Sequence, residues 1–176
     1  MIRKIVKTGH PVLRKTAKPV KRIDRKVLQL IEDLKDTLKT QKDPEGVGLA
    51  ACQIGENMRV FAMVRSDKSI LIVINPEILS VKEMTQKEIE KEPSLMEGCL
   101  SLPNYYTPLS RSKEVKLRYM TEKGETKEEV FKNFEAQIVQ HEVDHLEGIM
   151  FVDRLLEQKK TLYKLVGNEW EEVEII

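Results

Sequence analysis

The chain has 176 residues, enough for one compact core, and its 40% hydrophobic and 34% charged content is globular rather than disordered. Thirty Lys and Arg almost cancel 29 Asp and Glu, so the net charge of +1 gives no electrostatic reason for a nucleic-acid or anionic-membrane partner. The longest aliphatic run, Ile70 to Ile74, is far too short for a bilayer span, the amino end lacks the apolar stretch of a signal peptide, and two cysteines make no secreted disulfide framework. The expectation is a cytoplasmic protein with residues 1–176 as a single domain.

The first predicted element is a helix from Asp24 to about Gln41. Val27, Leu28, Ile31, Leu34 and Leu38 recur at helical spacing, and Asp24 is placed to cap the amino end. Pro44 and Gly46 stop this helix and open a glycine-containing loop. MRVFAMVR (58–65) and ILIVINP (70–76) read as strands, the second buried and ending at its proline. Residues 81–93 are strongly charged and read as a surface excursion. EVKLRYMT (114–121) and TKEEVF (126–131) form a hairpin across EKGE. Asn133 is expected to cap a second helix running to about Glu147, with Gly148 as its terminator. Along it, Phe134, Ile138, His141 and His145 share one face. The order of elements suits an α+β domain: an N-terminal helix, then antiparallel sheet packed around a central second helix.

That second helix carries His141-Glu142-Val143-Asp144-His145, an HExxH pattern. Four residues is close to one turn, so both imidazoles leave the same face and can share an ion. Glu142 then lies where it can take a proton from water. Two histidines and a glutamate can equally form a plain polar face. A catalytic site of this kind needs a third protein ligand. A metzincin-type protease would supply it as a further histidine, but Phe151 stands at that position and no histidine follows His145. A distal glutamate would have to come from Glu169, Glu171, Glu172 or Glu174 in the short tail. Cys99, in Glu97-Gly98-Cys99-Leu100-Ser101, is the better candidate, because a thiolate binds iron, zinc, cobalt or nickel strongly. Taken alone, a single cysteine reads first as an inert buried thiol, and Cys52 keeps that reading. GVGLAACQIG (46–55) lets the backbone approach a ligand, and the Gln53 amide can stabilise an oxyanion. It fits neither a phosphate loop nor a dinucleotide fingerprint.

GVGLAACQIG, EGCLS and QHEVDHLEG, in this order, resemble the three motifs of the peptide deformylase family: G-x-G-x-A-A-x-Q, E-G-C-x-S and Q-H-E-x-D-H. IVKTGHPVLRKTAKPV near the start and GIMFVDRL after the third motif are similar to the family as well, so the resemblance spans roughly residues 2–155.

The resemblance implies Cys99, His141 and His145 as ligands of one divalent metal ion, usually Fe²⁺, with Zn²⁺, Ni²⁺ or Co²⁺ able to occupy the same site. It implies Glu142 as general acid/base, and Gln53 with the Leu100 backbone N–H as the oxyanion site. The implied reaction is hydrolytic removal of formate from the N-formylmethionine of nascent polypeptides by metal-bound hydroxide. By the same analogy Val47, Leu95, Phe134 and Ile138 line a methionine pocket, Gly48 and Gly98 offer backbone hydrogen bonds to the peptide, and Asp144 and Arg111 support the ligands. The partners implied are N-formylmethionyl nascent peptides, with room for a transient ribosome contact. The sequence departs from the family in three places. Tyr105 and Tyr106 stand where some relatives carry a substrate-contacting arginine. Phe134-Glu135 replaces a more apolar pair. LYKLVGNEWEEVEII (162–176) ends the chain in an acidic, strand-forming segment instead of a basic helix. A zinc endopeptidase and a non-catalytic peptide- or ribosome-binding relative are the competing readings. The missing downstream ligand speaks against the first, and the presence of Glu142 and Gln53 against the second.

Overall fold

The computed structural model describes residues 1–82 and 95–174, so residues 83–93 of the charged excursion lie outside the described residues. The described residues form an α+β arrangement of three helices and two antiparallel sheets. The first sheet joins β1 (Gly48–Ala50), β2 (Val60–Val64), β3 (Ile70–Val81), β6 (Glu114–Met120) and β7 (Thr126–Lys132) in the order β1-β2-β3-β6-β7. The second joins β4 (Met96–Cys99), β5 (Leu102–Pro108), β8 (Leu162–Val166) and β9 (Glu169–Val173) in that order.

Helix α1 spans Arg25–Thr40, and the Asp24 carboxylate accepts from the Lys26 and Val27 amides, the side-chain cap its position promised. Its buried stripe is Val27, Leu30, Ile31, Leu34 and Leu38. Leu28, expected on that stripe, is 48% exposed; Leu30 takes its place, because one residue turns the helix by about 100° and carries Leu28 off the face.

Helix α2 spans Asn133–Leu146 and α3 spans Phe151–Glu157. Asn133 does not cap α2. The cap position falls on Lys132, with no side-chain hydrogen bond, and Asn133 takes a positive φ of 51° where the chain swings out of β7. Gly148 does end the helix. Its amide bonds to His145 O and the Ile149 amide to Asp144 O, a Schellman arrangement that needs the positive φ of 76° found at Gly148. A Cβ there would also lie 2.8 Å from Arg14 O.

The five-stranded sheet is covered on both faces. Val60 and Ala62 of β2 face the cluster built by α1, whereas Phe61 and Met63 face the cluster that holds Ala136, Ile138, Val139 and Val143 of α2. Double burial explains why β2 and β3 read as continuous apolar runs rather than as alternation. Pro76 does not end β3, which runs on to Val81; the proline falls at a register shift between Ile74 and Glu77, where no amide is required. The glycine loop after Pro44 also contains more order than its composition suggests: Gly48–Ala50 pairs with β2, and Ala51–Ile54 is a 3₁₀ turn. Among the described residues, no helix is long and apolar enough to cross a membrane.

Candidate active site

Helix α2 presents His141 and His145 one turn apart, their ring centroids 4.8 Å apart. Strand β4 crosses in front of them. Because side chains alternate along a strand, Glu97 and Cys99 both turn toward α2 while Gly98 turns away. Cys99 Sγ lies 3.2 Å from His145 Nε2, and the ligand atoms of Cys99, His141 and His145 all lie within 4.8 Å of one another.

Glu97 carries the most contacts here and had no role in the sequence reading. Its carboxylate lies 2.7 Å from His141 Nδ1, accepts from Gln137 Nε2, and takes two bonds from Arg111 at 3.0 and 2.7 Å. Arg111 also donates to Asp144 at 2.6 Å, and Asp144 accepts from Arg154. Arg111 and Asp144 are therefore buried members of one charge network rather than surface ions. The clue in the sequence was spacing: a carboxylate two residues before a candidate ligand shares its side of a strand, and imidazole ligands are commonly oriented by carboxylates.

The local charges follow from this packing. Burial would raise Glu97, but hydrogen bonding to His141 and Arg111 holds it well below the usual carboxylate range. Burial would likewise raise Cys99, yet the charge of His145 and hydrogen bonds from both imidazoles drive it well below an ordinary thiol. Burial opposes the charged form of His141, but its bonds to Cys99 and Glu97 raise it to about 10. His145 is raised as well, against burial, chiefly by the Cys99 charge.

Glu142 stands next to this cluster and differs from the other acids. It is buried, its Oε2 has no hydrogen-bond partner among the described residues, and burial raises its carboxyl to about 7. It has room because residue 48 is glycine: a Cβ there would collide with the Glu142 carboxylate and come within 3.0 Å of Ile138 Cγ2. His145 Nδ1 is the other buried atom of the site without a partner.

Gln53 reaches the cluster from the turn after β1. The Ala50 amide donates to its Oε1 at 2.8 Å, which fixes the amide so that Nε2 faces Cys99 Sγ at 3.5 Å and Ser101 Oγ at 3.3 Å. The amino-terminal segment ties these pieces together: the Val6 amide bonds to Gln53 O, and the Thr8 amide to Ser101 O. Cys52 is buried in the core with its Sγ toward His145 O, and His10 caps the 3₁₀ turn Pro11–Arg14, so neither joins the cluster.

A cavity of about 320 Å³ opens onto these groups. Val47, Gly48, Gly98, Leu100, Phe134 and Ile138 line it, with Gln53, Cys99, His141 and Glu142. Leu95 does not: it precedes β4, is 54% exposed, and Met96 lines the wall instead. Among the described residues both β1 and β4 are terminal strands of their sheets, and residues of both strands line the cavity. Tyr105 and Tyr106 form part of its mouth.

The profile of the family described as Polypeptide deformylase matches residues 2–161. The peptide deformylase of Pseudothermotoga lettingae is 46% identical over 87% of this chain and 82% of its own. The crystal structure of peptide deformylase from Thermotoga maritima superposes with a TM-score of 0.75 at 38% identity, covering 88% of this chain and 97% of that one. A Met-Ala-Ser-bound peptide deformylase from Acinetobacter baumannii gives a TM-score of 0.75 at 33% identity over 88% and 98% of the two chains. A match that runs through all three motifs, over the strands and helix that carry them, makes this chain a member of the peptide deformylase family of enzymes.

Proposed function

We propose that this chain removes the formyl group from N-formylmethionine at the start of nascent polypeptides, acting in the cytoplasm as one catalytic domain. The observation that carries the proposal is the close set Cys99, His141 and His145 beside a buried, unpartnered Glu142 at the floor of a cavity.

The donor set fits a divalent cation. One thiolate and two imidazoles suit Fe²⁺, and Zn²⁺, Ni²⁺ and Co²⁺ equally. Glu97 occupies His141 Nδ1 and leaves Nε2 for the ion, the usual support of a metal-bound imidazole. When bound, the ion lends Lewis acidity to water and to the formyl oxygen. Fe²⁺ is the proposed ion for this chain.

Glu142 accepts the proton of the attacking water and returns it to the departing amine, a role that suits a carboxyl raised to about 7. Gln53 Nε2 and the Leu100 amide donate to the oxygen that becomes negative as the formyl carbon turns tetrahedral. Val47, Phe134 and Ile138 take the methionine side chain, each buried CH₂ contributing about 0.8 kcal/mol. Gly48 and Gly98 offer the backbone of the two strand edges to the peptide, which joins them as an added strand. The Met-Ala-Ser ligand of the Acinetobacter baumannii relative supports a peptide of this kind.

The test is formate release. Formyl-Met-Ala-Ser should yield formate and free amine, whereas acetyl-Met-Ala-Ser should be hardly touched, because a methyl group replaces hydrogen at the reacting carbon. Cys99→Ala should lose most bound metal and Cys52→Ala should keep it. Equal rates on formyl and acetyl peptides, or cleavage inside unformylated peptides, would overturn the reading.

A further inference from the structure

The family profile ends at residue 161, and the β8–β9 hairpin follows it. This hairpin pairs with the strand that borders the cavity mouth: Tyr105 lies opposite Lys164, and Tyr106 opposite Tyr163. The chain holds nine aromatic residues, four Phe, four Tyr and one Trp. Three of the tyrosines and the tryptophan lie in β5, β8 and β9, none of them buried.

Two features aim this group at the cavity. Between the pairs Gly98↔Tyr106 and Cys99↔Leu102, β5 advances four residues while β4 advances one. The resulting bulge lets Asn104, Tyr105 and Tyr106 line the mouth in succession, where regular alternation would have turned one of them away. Gly98 then receives the Tyr106 ring, since a Cβ at that position would stand 2.6 Å from two ring carbons. Tyr106 therefore covers the β4 backbone one residue before Cys99.

The hairpin supports both tyrosines from behind. Trp170 of β9 meets Tyr106 edge to face, with centroids 5.2 Å apart and planes at 90°. Lys164 of β8 places Nζ 5.9 Å from the Tyr105 ring centre. Half of the Trp170 surface stays exposed beside the Tyr106 ring. Pro44 and Glu45 line the same cavity.

We infer that the β8–β9 hairpin is the outer wall of the substrate groove, and that Trp170 is a positioning residue that holds Tyr106 against the peptide residues following the formylmethionine. The inference rests on the deformylase reading for its substrate. With methionine in the cavity, the next residues leave through the mouth and pass the Tyr106 and Trp170 rings. Flat aromatic surfaces bury backbone and Cβ atoms without selecting a side chain, which suits an enzyme that meets many chains. The hairpin thus sets the gain from peptide length and leaves the chemistry alone.

Trp170 is the single tryptophan, so the parent protein reports on its own wall. Titration of the metal-loaded protein with Met-Ala-Ser should change the tryptophan emission saturably, whereas methioninamide should leave it unchanged. In Trp170→Ala the KM for formyl-Met-Ala-Ser should rise about three- to tenfold, the loss expected for one aromatic pair, with kcat unchanged. Formyl-methioninamide should be turned over as by the parent, and Trp170→Phe should restore most of the peptide affinity. Emission that ignores Met-Ala-Ser, or an equal loss on short and long substrates, would overturn the inference. If Trp170→Ala does not fold, the parent titration and the Phe variant decide. A parent protein that releases no formate from either substrate would overturn the deformylase reading, and the emission titration would still judge the wall.

Discussion

Helices α1 and α2 pack on opposite faces of one sheet and meet the demands of burial differently. On α1 the inward stripe is aliphatic, with two polar exceptions, whose partners come from the amino-terminal segment and from Gln29 of the helix itself. Asp33 accepts from Gln29, Arg3 and the Met1 amine, and Thr37 Oγ1 accepts from the Arg3 amide. Helix α2 buries ten of its 14 residues, and five of those ten are Gln137, His141, Glu142, Asp144 and His145. Their partners come from β4, from Arg111 and from α3. Two atoms, Glu142 Oε2 and His145 Nδ1, find none among the described residues. A helix built for stability pairs its buried polar atoms, whereas α2 keeps one carboxylate oxygen, Glu142 Oε2, without a partner among the described residues, which fits the proton-carrying role proposed for it.

This contrast can be broken experimentally. The largest effect should come from Glu142→Ala: kcat should fall by two or more orders of magnitude, as for loss of a proton-transfer group. Metal content should stay and Tm should hold or rise, because an unpaired buried acid has been removed. A kcat within a few-fold of the parent would remove Glu142 from the chemistry.

Arg111→Met tests the paired half of α2. It leaves Glu97 and Asp144 buried without their shared cation, which should cost about 3–5 kcal/mol. Metal affinity should fall too, since Glu97 orients His141. Denaturant melts and metal titration of this variant check both effects.

Leu34→Ala is the counterpart on α1. It empties a fully buried position and should cost about 2–5 kcal/mol, read by urea unfolding, while kcat of the folded enzyme stays near the parent value. A large drop in kcat below the melting range would join α1 to catalysis and end the contrast. The smallest effect belongs to Asp24→Ala, which removes the α1 cap and should lower stability by about 1 kcal/mol, with activity untouched.

Much of α1 was legible because water alone sorts its residues: a capping aspartate, an apolar stripe and a polar remainder. Only Leu28 misled, since an apolar residue beside the stripe looks like part of it. The HExxH spacing likewise placed two imidazoles on one face without any tertiary knowledge, and the hairpin across EKGE needed only its turn. Pro76 and the glycine loop were misread because a bulge and a short edge strand depend on the neighbouring strand. The supporting role of Glu97 was hidden for the same reason. Its partners, Gln137, His141 and Arg111, come from other parts of the chain, and only folding sets them around one carboxylate. Leu95 and Met96 carry similar side chains, and the geometry of β4 alone decides which lines the cavity. Residue identity and local periodicity placed His141, Glu142 and His145 on one helix, and the family resemblance, not the spacing, joined Cys99 to them as the proposed third ligand. Pairing between distant strands decided which side chains surround Glu97, which residues line the cavity and where Trp170 meets Tyr106, because those depend on through-space contacts that no local pattern encodes.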